Sequence, residues 1–172
     1  MFRKAELRDL DAIAAIYDRI HDNEEAGKTT IGWVRSIYPT RATALSSIEI
    51  GDMYVEEVNG VIVAAAKINQ EQVPEYANAQ WQWEAPDEKI LVLHTLVVDP
   101  QQGRKGLGKA FVAFYEDMGR KSGCPYLRMD TNERNLIARQ LYQGLGYAEV
   151  GFVDCRFNGI PGVRLVCLEK KL

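Results

Sequence analysis

The residues best placed for chemistry lie between Leu91 and Gly108, in the run LVLHTLVVDPQQGRKGLG. An apolar, β-like stretch from Leu91 to Val98 stops at Asp99-Pro100. A glycine-punctuated turn, Gly103-Arg104-Lys105-Gly106-Leu107-Gly108, then opens directly into a helical pattern. Glycines let the main chain come close to a ligand, and the free N–H groups of a helix's first turn, with the positive end of its dipole, favour an anion. Phosphate or pyrophosphate binding is the chemistry this predicts. A P-loop needs four residues between its glycines and then Gly-Lys-Ser/Thr; here Lys109-Ala110 stands where the magnesium-binding hydroxyl belongs. A dinucleotide fingerprint needs G-x-G-x-x-G, and these glycines are spaced by three and then two. The pyrophosphate of coenzyme A is the third candidate. His94 adds, on the strand itself, an imidazole that titrates near neutral pH and suits general-base work.

The elements that must position these residues are legible in the apolar spacing. Phe2 to Glu6 reads as a strand, and Leu10, Ile13, Ala14, Tyr17 and Ile20 mark an amphipathic helix from Asp9 that frays near Gly27. A weaker helix covers about Arg41 to Ile48, after Pro39. Met53 to Val58 and Val61 to Ile68 flank Asn59-Gly60, the strongest short-range hairpin signal. Residues 69 to 89 form a long irregular connection carrying Tyr76, Trp81 and Trp83, and such connections are often functional. After the glycine turn, Leu107, Ala110, Phe111, Phe114 and Met118 form the buried stripe of a helix ending near Gly119 to Gly123. Tyr126 to Asp130 reads as a strand. Asn132 is a candidate cap for a helix from about Asn135 to Leu145, with Gly146 as its stop. Tyr147 to Asp154 and Val163 to Glu169 close the chain as strands around a turn at Asn158 to Gly162. Strands and helices in this order predict one mixed α/β or α+β domain over residues 1–172, with the helix after the glycine turn as a crossover covering one sheet face.

Two separated motifs carry a family resemblance. Val97-Val98-Asp99-Pro100 with the Gly-Arg-Lys-Gly-Leu-Gly turn, and then Leu127-Arg128-Met129-Asp130, Asn135, Ala138, Leu141-Tyr142 and Leu145-Gly146-Tyr147, together resemble the GNAT (Gcn5-related) N-acetyltransferase superfamily. The likeness spans roughly Leu91 to Val153. It implies a mixed, mostly antiparallel central sheet of about seven strands flanked by about four helices. It implies acetyl-CoA as cofactor, with the pantetheine arm alongside Leu96, Val97 and Val98 and the pyrophosphate on Gly103, Arg104, Lys105, Gly106, Leu107, Gly108 and Lys109. Asn135 matches a helix position that often contacts the arm. The family's turn carries Gln or Arg three residues before the first glycine of its final pair, and this chain has Gly103 there. That departure removes a side-chain contact but leaves the main-chain amides, which carry most anion recognition in such a loop.

The resemblance also places Tyr142 where the family commonly has the general acid for the leaving thiolate, and His94 on the strand from which some members draw a base. A main-chain N–H at Leu96 or its neighbours is expected to meet the oxyanion. Strand parity puts His94 on the face of Val92 and Leu96 unless a bulge intervenes. The expected reaction moves the acetyl group to a primary amine of a small molecule by direct attack in a ternary complex. The alternatives are a protein or peptide N-acetyltransferase and a noncatalytic acyl-CoA sensor. Trp33, Tyr38, Tyr76, Trp81 and Trp83 are candidates to line the acceptor pocket, with Glu56, Glu57 or Glu84 as partners for a cationic amine. Homodimers are common in the family.

Composition bounds the remaining possibilities. The 172 residues carry a net charge of −3, which gives no general reason to bind nucleic acid. The sequence contains neither an apolar run of about 18 residues nor a cationic, apolar leader, so a cytoplasmic protein with no membrane partner is expected. Three cysteines, Cys124, Cys155 and Cys167, lack metal-site spacing and read as free thiols. His21 reads as a solvated residue at the end of the first helix.

Overall fold

The computed structural model describes residues 1–102 and 105–172. In chain order its elements are β1 (Phe2–Lys4), α1 (Leu10–Glu25), α2 (Arg41–Glu49), β2 (Met53–Val58), β3 (Val61–Asn69), β4 (Ile90–Val98), α3 (Leu107–Ser122), β5 (Tyr126–Asn132), α4 (Leu136–Gly144), β6 (Ala148–Phe157) and β7 (Ile160–Lys171). The seven strands form one sheet in the order β1-β2-β3-β4-β5-β7-β6. Every neighbouring pair is antiparallel except β4 and β5, whose parallel alignment requires the crossover that α3 supplies.

Each face of the sheet is covered, and alternation along the strands explains how. Ala64, Ala66, Leu91, Leu93, Leu127 and Met129 bury one face against Phe111, Val112 and Tyr115 of α3. On the opposite face, Met53, Val55, Ala65 and Val97 pack under Ile13, Ile16 and Tyr17 of α1. The other half of that face, with Ile90, Val92, Leu165 and Cys167, lies beneath the 70–89 connection. Among the described residues no helix is long and apolar enough to cross a membrane.

Asn59 and Gly60 turn the β2–β3 hairpin with φ of 50° and 78°, the pair of left-handed residues that a two-residue type I′ turn needs. The chain repeats this device at Asn158 and Gly159, with φ of 50° and 81°. The β6–β7 turn is therefore two residues long, not the five expected from Asn158 to Gly162. Pro161 and Gly162 lie within β7 instead, where a register shift opposite Cys155 and Phe157 absorbs them. Asn135, not Asn132, caps α4, its side chain accepting from Ala138 N at 3.2 Å. His21 is buried rather than solvated, its Nε2 2.9 Å from the Pro39 carbonyl oxygen.

The 70–89 connection is fastened to the sheet by two buried charged side chains. Arg128 of β5 donates through Nη1 to Gln72 Oε1 and through Nη2 to the Trp83 carbonyl at 2.9 Å, and its guanidinium lies 4.1 Å from the Trp81 ring centre. Glu169 of β7 accepts from the Gln82 amide. These contacts hold down a segment that has no strand ladder of its own.

Candidate active site

The site begins with one extra residue in β4. Between Ala65↔Val97 and Lys67↔His94, β3 advances two residues and β4 three, a β-bulge in which Thr95 takes φ 53°. A left-handed β-branched residue costs about 1–3 kcal/mol, and such strain concentrates at functional sites. The bulge reverses the pleat. His94 stays on the face of Ile90 and Val92, whereas Leu96 and Val98 turn to the face covered by α3 and α4. His94 and Leu96 therefore lie on opposite faces.

Beside the bulge the sheet parts. β4 pairs with β5 only from Ile90↔Tyr126 to Leu93↔Met129, while Asp130 to Asn132 of β5 continue with β7 alone. A cavity of about 860 Å³ passes through this opening. That lies within the roughly 300–1,000 Å³ typical of ligand and cofactor sites. Leu96, Val98, Asn135, Ala138 and Tyr142 line it toward α3 and α4. Tyr17, Tyr38, Lys67, His94 and Asp130 line it on the opposite side.

The α3 side carries the features of an acyl-CoA site. Gly106, at φ 74°, ends the turn in a left-handed conformation, and α3 starts at the next residue with the amides of Leu107, Gly108 and Lys109 ahead of its first intrahelical donor, Ala110. At Gly108 a Cβ would stand 3.3 Å from Leu141 Cδ2, so the absence of a side chain lets α3 approach α4 closely. Gly103 and Arg104 lie outside the described residues. Tyr142 is buried with its ring edge-on to Tyr147, centres 6.1 Å apart. Burial, and then the charge of Asp130, push its phenol above the usual range, so it stays protonated at neutral pH.

The opposite side is polar at its floor and aromatic above. Tyr76 donates its hydroxyl to Asp130 Oδ2 at 2.7 Å. Although partly accessible from the cavity, the Asp130 carboxyl sits deep enough for desolvation to push it up to about 7. The Tyr38 hydroxyl is bonded to Thr95 Oγ1, and the Trp33 ring meets Tyr38 edge-on with centres 6.1 Å apart. His94 Nε2 lies 3.0 Å from Asn69 Oδ1, which also accepts from Glu71 N. Burial, and then the charge of Lys67, push the imidazole down to about 4. His94 is thus neutral at pH 7 and a weak proton acceptor.

Trp33 and Tyr38 are among the residues lining the cavity; Tyr76, bonded to Asp130, and Trp81 and Trp83 are not. Trp81 is held by Arg128 and by its own Nε1 donating to the Tyr76 carbonyl at 2.9 Å, and Trp83 offers Arg128 its carbonyl. Nor do the expected carboxylates reach the cavity. Glu56 is buried on β2, Glu57 binds Arg3 at 2.7 Å and Glu84 is exposed. The acidic groups on the wall are Asp130 and Glu71. A signal for Asp130 was present in the alternation of Arg128 and Asp130 through an otherwise apolar strand, which puts both on one face.

An open mixed sheet with one parallel pair, a glycine turn leading into the crossover helix and a through-sheet cavity beside it define an acyl-CoA-dependent transferase. The chain belongs to the acetyltransferase (GNAT) family, whose model matches residues 14–147. It is an N-acetyltransferase, and its cofactor is acetyl-CoA. Its fold is similar to that of a GNAT-family acetyltransferase from Streptococcus agalactiae, with TM-score 0.83 and 21% identity, covering 100% of this chain and 95% of that one. It is also similar to YncA of Salmonella typhimurium, solved with its cofactor acetyl-CoA, at TM-score 0.71 and 18% identity over 100% and 93% of the two chains. A ribosomal-protein-alanine N-acetyltransferase from Brucella melitensis aligns at TM-score 0.72 and 18% identity, covering 100% and 99%. No curated protein matches the chain in sequence.

Proposed function

We propose that the protein acetylates a primary amine of a small molecule, by direct attack of the amine on the thioester in a ternary complex. The observation that carries this reading is the lining of the acceptor half of the cavity, where α1, the 27–33 loop and the β6–β7 turn surround a floor that holds the Asp130 carboxylate. A peptide would need an open groove there instead.

Acetyl-CoA supplies an electrophilic thioester carbonyl. The chain must place an amine beside it, accept one proton and return another. An aliphatic amine with pKa near 10.4 is neutral in only about one molecule in a few thousand at pH 7, so a proton acceptor matters. Asp130 suits that role: ionised, it attracts the ammonium form, and a carboxyl near 7 is matched to taking its proton at neutral pH. His94, near 4, is poorly matched and instead keeps the floor of the site hydrogen-bonded through Asn69. The main-chain N–H of Leu96, beside the bulge, is the donor aimed at charge developing on the carbonyl oxygen. Tyr142, protonated and across the opening from Asp130, gives its proton to the departing thiolate.

A thiol-release assay with acetyl-CoA against amines, amino acids, polyamines and peptides tests this. Turnover confined to small amines supports the reading. Turnover of peptides alone, or tight acetyl-CoA binding with no acceptor consumed, overturns it.

A further inference from the structure

Three titratable side chains lie in a row across the floor of the acceptor cavity. Lys67 of β3 pairs in register with His94 of β4. The next strand carries Asp130 one residue beyond the Leu93↔Met129 pair, at the point where the sheet parts. Paired strands are about 4.8 Å apart and β4 and β5 diverge here, so the cation and the carboxylate stand at least roughly 10 Å from each other at their Cα atoms, with a neutral imidazole between them. Lys67 also pairs with Met53, which belongs to the same buried cluster as Tyr17 of α1.

Tyr17 is the second observation. It lines the cavity, is 2% exposed, and its hydroxyl has no hydrogen-bond partner among the described residues. A buried hydroxyl left without a partner has lost its bonds to water with nothing in exchange. In the wall of a ligand cavity, such a hydroxyl is a donor available to a ligand oxygen. The partner of Lys67 points the same way. Its ammonium reaches Glu71 at 3.1 Å, but the Glu71 side chain is 67% exposed. An ion pair so open to water contributes little, so a ligand anion inside the cavity can displace it.

We propose that the acceptor is a zwitterion, a free amino acid whose amine lies against Asp130 and whose carboxylate is met by Lys67 and the Tyr17 hydroxyl. The proposal rests on the small-amine reading above and narrows it. An isolated amine would leave the Tyr17 hydroxyl without a partner and Lys67 with its exposed pair to Glu71 alone, whereas an amino acid matches the opposite charges at the two ends of the floor. Trp33, Phe157, Ile160 and Val163 surround the space between with apolar surface, which favours an apolar side chain on the substrate.

The test compares matched pairs in the thiol-release assay: leucine with isoamylamine, methionine with 3-(methylthio)propylamine, and phenylalanine with phenethylamine. The expected result is a kcat/KM at least tenfold higher for the amino acid of each pair. Lys67→Met should lower kcat/KM for the amino acid about tenfold more than for its decarboxylated partner, with acetyl-CoA affinity reporting that the variant is folded. Tyr17→Phe should act in the same direction more weakly. Amines turned over as well as, or better than, their amino acids would overturn this inference alone. So would Lys67→Met losses equal for both members of a pair. Silence toward every small amine would instead overturn the reading on which it rests, and this proposal with it.

Discussion

Tyr76 gives its only hydroxyl proton to Asp130 Oδ2 at 2.7 Å, and so ties the carboxylate on the cavity floor to the connection that covers the sheet. The bond favours the ionised carboxylate, while the deep position favours the neutral one and dominates, leaving the group near 7. Asp130 is thus poised to change charge in the range where an amine must be captured and deprotonated.

The pH dependence of turnover follows. Below about 7 Asp130 is protonated and neither attracts an ammonium nor accepts its proton, so kcat/KM for the acceptor should rise with pH through about 7. Asp130→Asn should abolish that limb and cost about 10²–10⁴-fold in rate. His94→Gln should leave the limb in place, since the imidazole titrates near 4, and a limb that disappears with His94 would return the base role to it.

Stability should move the other way. A carboxyl raised from 3.8 to about 7 on folding favours the folded state below its unfolded value, and that stability is lost as pH rises from about 4 to about 7. The loss is at most roughly 4 kcal/mol, and less with cavity water at the carboxylate. Without ligands at pH 8, Asp130→Asn should therefore melt at or above the temperature of the unaltered protein. A lower Tm would show that the carboxylate is held more comfortably than its position implies.

Tyr142→Phe removes one oxygen from a packed aromatic contact with Tyr147. The expected outcome is a fall in kcat of about 10²–10⁴-fold, with acetyl-CoA affinity by calorimetry changed little. Equal loss of affinity and rate would make the residue a packing element of the cofactor half.

Arg128 combines a desolvated guanidinium with three contacts to the 70–89 connection. Arg128→Met leaves the Gln72 amide oxygen and the Trp83 carbonyl without their charged donor and should destabilise by about 3 kcal/mol or more. The corresponding Tm fall is roughly 6–12 °C for a chain of this size. Hydrogen exchange should rise first in residues 70–89. A uniform rise across the sheet would mean that the clamp serves the whole fold rather than the cover.

The elements of this fold were readable where local chemistry decides them. Asn59-Gly60 permits one tight turn, and the stripe from Leu107 to Met118 has one way to be buried. The same Asn-Gly signal at residues 158 and 159 was masked by Pro161 and Gly162, which look like turn residues until a strand bulge accommodates them. The proposed cofactor half lies on contiguous motifs, so local sequence is enough to propose it. The acceptor half is assembled from α1, β3, β4 and β5, and no local pattern joins Tyr17, Lys67 and Asp130. Tryptophans in a long connection suggested a pocket lining, but Arg128 recruits Trp81 and Trp83 to hold the connection down.

The extra residue at Thr95 has an evolutionary consequence. Because it separates His94 from Leu96 onto opposite faces, one short strand would serve both halves of the proposed reaction with almost no shared side chains. Substitutions at His94, and at Lys67 beside it, can drift toward a new acceptor while Leu96 and Val98 go on serving the thioester donor. A lineage built on this strand can change what it acetylates without first relearning how to hold the acetyl group.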